Sequence, residues 1–130
     1  MDAAQALADL TEISSQIVQA AIVDADGAVL ASTFDDGQRA ERFGRGIERF
    51  LAEADAVRAA HGLDGLAQLE AATLDGSVFV VRNAGGARSV AAVTRPEPTV
   101  GLVFYDLKHC LRSIDEPRES AGRKQADATA

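Results

Sequence analysis

The stretch from residue 17 to residue 33, IVQAAIVDADGAVLAST, constrains this chain more than any other, because two apolar runs are joined there by residues whose chemistry is that of a turn. Asp24 and Asp26 can bond their own backbone, and Gly27 accepts a positive φ without steric cost, so the spacing predicts a β-hairpin. Val18, Ala20 and Ile22 before the turn and Val29, Leu30 and Ala31 after it all suit a strand, and nearly every position is apolar. A hairpin with two apolar faces must be covered on both, which calls for helices above and below it.

The rest of the chain supplies three amphipathic segments. Leu7, Leu10, Ile13 and Ile17 recur three or four apart and predict a helix over residues 3–15, with Asp2 as its N-cap. Ser14 and Ser15 fall at the change from helix to strand, where short hydroxyl side chains can bond freed backbone groups. After the turn-forming DDG at residues 35–37, a long segment ending at His61 and Gly62 carries Ala40, Phe43, Ile47, Phe50, Leu51, Ala54 and Val57 on one arc at 100° per residue. Gly44 and Gly46 interrupt this second helix, each at a cost of about 1 kcal/mol relative to Ala. Gly44 lies at the edge of the apolar arc, where a missing side chain would let another backbone come close; the alternative is a glycine merely tolerated.

Residues 66–74 read as an edge strand, with Gln68 and Glu70 on one face and Leu69 and Ala71 on the other. Asp75 and Gly76 signal a two-residue hairpin into the apolar strand SVFVVRN, and AGGA at residues 84–87 turns the chain into a fifth strand over residues 88–95. Pro96 and Pro98 end that strand, and Thr99 is placed to cap the next element. VGLVFYDL favours a strand by propensity, but Val100, Val103, Leu107, Leu111 and Ile114 keep a spacing of three and four that only a helix sustains. The tail over residues 116–130 has no apolar periodicity and reads as disordered. The element order is therefore helix, two strands, helix, three strands, helix, in one domain over residues 1–115.

Composition narrows the function. A net charge of −7 argues against nonspecific binding to nucleic acid or an anionic membrane, both of which require a basic surface. One cysteine, Cys110, cannot form an internal disulfide, no run approaches the ~20 apolar residues of a membrane span, and the N-terminus lacks a signal-peptide pattern, so a cytoplasmic protein is expected. The abundance of Ala and the excess of Arg over Lys point to a GC-rich bacterial source.

Candidate chemistry is sparse. DADG lacks the spaced acids and closing Glu of a calcium loop, and neither GRG at residues 44–46 nor AGGA has the setting of a phosphate loop. His109 and Cys110 are helix neighbours pointing about 100° apart, so they do not form a base and nucleophile pair, and Cys110 reads as a small apolar filler. With only His61 and His109 available, no catalytic, metal or cofactor site is expected. One pattern stands out: Arg39, Arg42, Arg45 and Arg49 share a roughly 120° arc of the second helix and offer a basic stripe to an acidic partner. A solvated face paired with Glu41, Glu48 and Glu53 accounts for the same residues.

The sequence AAIVDADGAVLAS at residues 20–32, the strand-turn-strand around residues 74–81, and VAAV followed by VGLVFYDL occur in an order and spacing that resembles the roadblock family over about residues 4–115. SSQI before the first strand replaces the glycine-containing turn common in that family. The resemblance implies an α+β fold, α-β-β-α-β-β-β-α, with a five-stranded antiparallel sheet, the first and last helices on one face and the second helix on the other. It also implies a homodimer in which the third strands pair edge to edge and the second helices pack together, placing the interface on Ala40, Gly44, Ile47, Leu51, Gln68 and Glu70. This agrees with the edge character of residues 66–74. By the same resemblance the protein is a noncatalytic regulator or scaffold for a small Ras-like GTPase. A sensor-like or profilin-like module binding a small ligand is the alternative, and it needs a pocket between sheet and helices for which the sequence offers few polar residues.

Overall fold

Asp24 closes the first hairpin as the sequence requires. Its Oδ1 accepts from the backbone N–H groups of Asp26 and Ala28 at 2.9 and 3.0 Å, and Gly27 takes the positive φ of 83°. The computed structural model describes residues 1–115, and the expected disorder of residues 116–130 lies outside them. The elements are α1 (Ala3–Ile13), β1 (Ile17–Asp24), β2 (Val29–Ser32), α2 (Gly37–Ala60), β3 (Gln68–Thr73), β4 (Gly76–Arg82), β5 (Arg88–Thr94) and α3 (Val100–Asp115). The strands form one antiparallel sheet in the order β2-β1-β5-β4-β3, which leaves β2 and β3 at its edges.

Strand alternation divides the core into two layers. Ala20, Ile22, Phe79, Val81, Val90 and Ala92 meet Ala6, Leu7 and Leu10 of α1 and Val103, Leu107, Cys110 and Leu111 of α3. Val23, Val80 and Ala91, pointing the other way, meet Ile47 and Leu51 of α2. The first and last helices thus cover one face and the second helix the other, the layering that the roadblock resemblance implies.

Local chemistry fixes the ends. Asp2 and Asp36 cap α1 and α2, accepting from Gln5 N and Gln38 N at 2.8 Å each. The Ser14 N–H donates to the Leu10 carbonyl at 2.9 Å, but its hydroxyl is buried without a partner among the described residues, against the expectation that it bonds freed backbone. The second hairpin is displaced by one residue from the sequence reading. Thr73 faces Gly76, so Leu74 and Asp75 form the two-residue loop, and Leu74 is 97% exposed at its tip. Gly76 belongs to β4, where a side chain would strike the Thr94 carbonyl. At the opposite end from the Asp24 turn, the Thr99 N–H donates to Gln16 Oε1 and Arg95 Nε donates to the Ser15 carbonyl at 3.2 Å, which ties the α1–β1 and β5–α3 connections together.

Gly44 is required by a close approach inside the protomer. A Cβ there would collide with the Gly27 carbonyl oxygen and come within 3.0 Å of a Val29 methyl, whereas one at Gly46 would meet nothing within 4 Å. Both substitutions to Ala gain about 1 kcal/mol in helix propensity. Gly46→Ala should therefore stabilise the protein by up to about 1 kcal/mol in urea unfolding, while Gly44→Ala should destabilise it by about 1–3 kcal/mol through overpacking; equal effects would contradict this account.

Cys110 fills the α1–α3 seam, its thiol directed at the Ala6 carbonyl at 3.6 Å. Burial, and then the negative charge of Asp9, pushes the thiol from 9.0 up to about 12. Between these values the unfolded chain loses the thiol proton and the native one keeps it, so stability falls as pH rises above 9.0. The stability difference between wild type and Cys110→Ala should shrink by up to ~1.4 kcal/mol per pH unit over that interval, measured by denaturant unfolding at stepped pH.

Candidate interaction surface

The second helix presents two different flanks. Ala40, Gly44, Ile47 and Leu51 are buried against the protomer's own sheet. Their packing within one chain is against Val23, Val80 and Ala91 and against the Gly27 carbonyl. Gln68 and Glu70, by contrast, are exposed on β3, whose outer edge carries no strand among the described residues.

One step round the helix from the buried arc, Phe43 and Phe50 are only half covered, and Val57 is 62% exposed. Phe43, Gly46, Ile47 and Phe50 of α2, with Ala71 of β3 and Val78 of β4, line an open apolar groove of about 390 Å³. Arg42 stands at its rim. The groove exists because α2 approaches the sheet most closely over β2 and β1 and stops short of the β3 edge. The helical arc in the sequence contained Phe43 and Phe50, but periodicity alone could not say which part of that arc the sheet would leave open.

Arg39, Arg42, Arg45 and Arg49 are all exposed. Among the described residues none of them forms an ion pair with Glu41, Glu48 or Glu53; the ion pairs of α2 are made by Asp55 alone, to Arg58 and Arg82 at 3.0 Å each. Arg39 instead sits 5.6 Å from the centre of the Phe34 ring, which contacts Phe43 at 5.1 Å between centroids. The hydrogen bonds from Arg82 and Arg58 hold the Asp55 carboxyl below its usual range. The Arg82 contact fastens the later turns of α2 to the end of β4, while Gly44 fastens the earlier ones to the β1–β2 turn.

Among the described residues no three His, Cys, Asp or Glu side chains are grouped to hold a metal, and no helix is long and apolar enough to cross a membrane. His109 is exposed and Cys110 buried, although both border the cleft between α1 and α3. The geometry offers contact surfaces: a free strand edge, an apolar groove beside it and a cationic helix flank.

No family model and no curated protein matches the sequence. Solved structures do. A Roadblock/LC7 domain from Streptomyces avermitilis is 16% identical with a TM-score of 0.80, the match covering 88% of this chain and 96% of that one. The gliding protein MglB from Thermus thermophilus is also 16% identical, with a TM-score of 0.72 over 86% of this chain and 84% of that one. A structure of MglB with a tetrameric arrangement gives 0.74 at the same identity and coverage. Profilin II of Acanthamoeba castellanii stands further off, at 0.51 over 78% of this chain and 87% of that one, with 16% identity. A TM-score of 0.80 over 88% of this chain shows the same fold, and the protein has the Roadblock/LC7 fold.

Proposed function

We propose that the protein is a noncatalytic homodimeric module that binds a small Ras-like GTPase and regulates or anchors it, in a bacterial cytoplasm. The observation that carries this reading is the unpaired edge of β3 beside an apolar groove. An edge strand with free N–H and C=O groups favours another strand, and the groove favours cover by another apolar surface. A second copy meets both needs at once: β3 pairs with β3 through Gln68–Thr73, and the Phe43 and Phe50 flank of each α2 closes the other's groove. The proposed interface keeps Gln68 and Glu70 and moves round the helix from Ala40, Gly44, Ile47 and Leu51 to the half-covered phenylalanines. The tetrameric arrangement of an MglB with this fold supports self-association as a property such chains can have.

The GTPase reading rests on the roadblock resemblance and on the arginine stripe. Four exposed guanidinium groups without ion pairs among the described residues, on a chain of net charge −7, form a local surface complementary to an acidic partner. Self-association along β3 leaves the outer side of α2 open to such a partner.

Light scattering behind a sizing column, at two concentrations well apart, should give a dimer mass at both. Phe50→Glu places a charge in the groove and should yield a monomer with an unchanged circular dichroism spectrum; a persistent dimer would remove the groove from the interface. The wild type should retain a Ras-like GTPase, identified by mass spectrometry, on co-purification. Charge reversal of Arg45 and Arg49, which lie outside the groove, should lower that retention at least ~10-fold while the dimer mass stays the same, and unchanged retention would sink the stripe as the partner surface.

A further inference from the structure

On the face opposite α2, helix α3 leaves the ends of β3 and β4 partly uncovered, and a cavity of about 350 Å³ opens there. Val81 and Leu111, both core residues of the α1–α3 layer, form its floor, with the exposed Ala67 and Ala84 at its margin. Among the described residues its charged lining is cationic: Lys108 and Arg112 from α3, with Arg82 of β4, whose guanidinium is held by Asp55 on the α2 side. Among the described residues no carboxylate lines it, in a chain with 20 acidic and 13 basic residues.

The three cations differ in their state. Arg82 is engaged by Asp55 at 3.0 Å. Lys108 and Arg112 are exposed and make no ion pair among the described residues. They lie four apart on α3, a spacing at which like charges repel, and an anion between them would relieve that repulsion. Arg offers a planar fork that suits a carboxylate or phosphate bidentately, and Lys a compact point charge beside it. The volume is at the lower end of the ~300–1,000 Å³ typical of small-molecule sites and admits one anionic head with a ring-sized apolar body.

We infer that this slot between α3 and the β3–β4 strand ends binds a small anionic ligand, a carboxylate or phosphate monoester carrying a compact apolar body. The head lies between Lys108 and Arg112, and the body rests on Val81, Leu111 and the two alanines. The site is on the other face of the sheet from the arginine stripe and independent of the GTPase reading. It gives the fold a place for a metabolite without requiring any catalytic group.

Amide chemical shifts of the full chain, titrated with phenyl phosphate and with benzoate, test this directly. Saturable shifts confined to residues 81–84 and 108–112 are expected for at least one probe, with a midpoint on the order of 1 mM or lower, and the tighter probe identifies the preferred head. Phenol and inorganic phosphate should each bind at least ~10-fold more weakly, because each lacks one half of the ligand. Lys108→Gln with Arg112→Gln should raise the midpoint at least ~10-fold while the rest of the spectrum is unchanged. Arg39→Gln with Arg42→Gln should leave it where it was. The inference is overturned by the absence of saturation with both probes, by equal shifts along residues 39–49, or by a Lys108 and Arg112 variant that binds as the wild type does.

Discussion

A sheet whose central strands are apolar on both sides is the constraint on which every other feature depends. Ile22 and Val23, adjacent in β1, are buried in opposite layers, and Val80 and Val81 of β4 repeat the division. Neither face can meet water, so two helical layers are obligatory, and with three helices one layer must be thinner than the other. The thin layer is α2, and its inability to cover the whole face is what leaves the groove near β3. The surface proposed for self-association is thus a by-product of how many helices the chain has and how many faces they must cover.

Most of this frame is legible in the residues. The DADG turn, the three-and-four spacing of α3 and the order of elements follow from local chemistry and periodicity, which act over a few residues. What the residues do not disclose depends on contacts far apart in sequence. Gly44 is indistinguishable from a tolerated glycine until the Gly27 carbonyl is seen against it. Gly76 resembles a turn residue because Asp-Gly is a turn signal, yet it is a strand glycine answering to Thr94 across the sheet, and the loop falls on Leu74 and Asp75. The arc from Ala40 to Val57 is apolar as its spacing says, but how much of an arc a sheet can cover is a property of the sheet's width and the helix's path across it.

The charge distribution carries a second lesson. An acidic total argues against the commonest basic-surface partners, but it conceals two local cationic surfaces on opposite faces: the stripe on α2, and Lys108 with Arg112 on α3. Each is present in the sequence as a helical spacing. Only the fold shows that the stripe lies without ion pairs among the described residues and that the α3 pair overlooks an apolar cavity.

The two helical layers are also fastened in unlike ways. α1 and α3 share a packed core, and the loops beside them are joined through Gln16 to Thr99 and through Arg95 to Ser15, so that layer is clamped along its seam and at its end. α2 is held by the glycine contact near one end, the Asp55 bridge toward the other, and few core side chains between. A load applied to α2 by anything that grips it falls first on those two rivets. In mechanical terms α2 hangs on two fastenings, while α1 and α3 share a continuous seam.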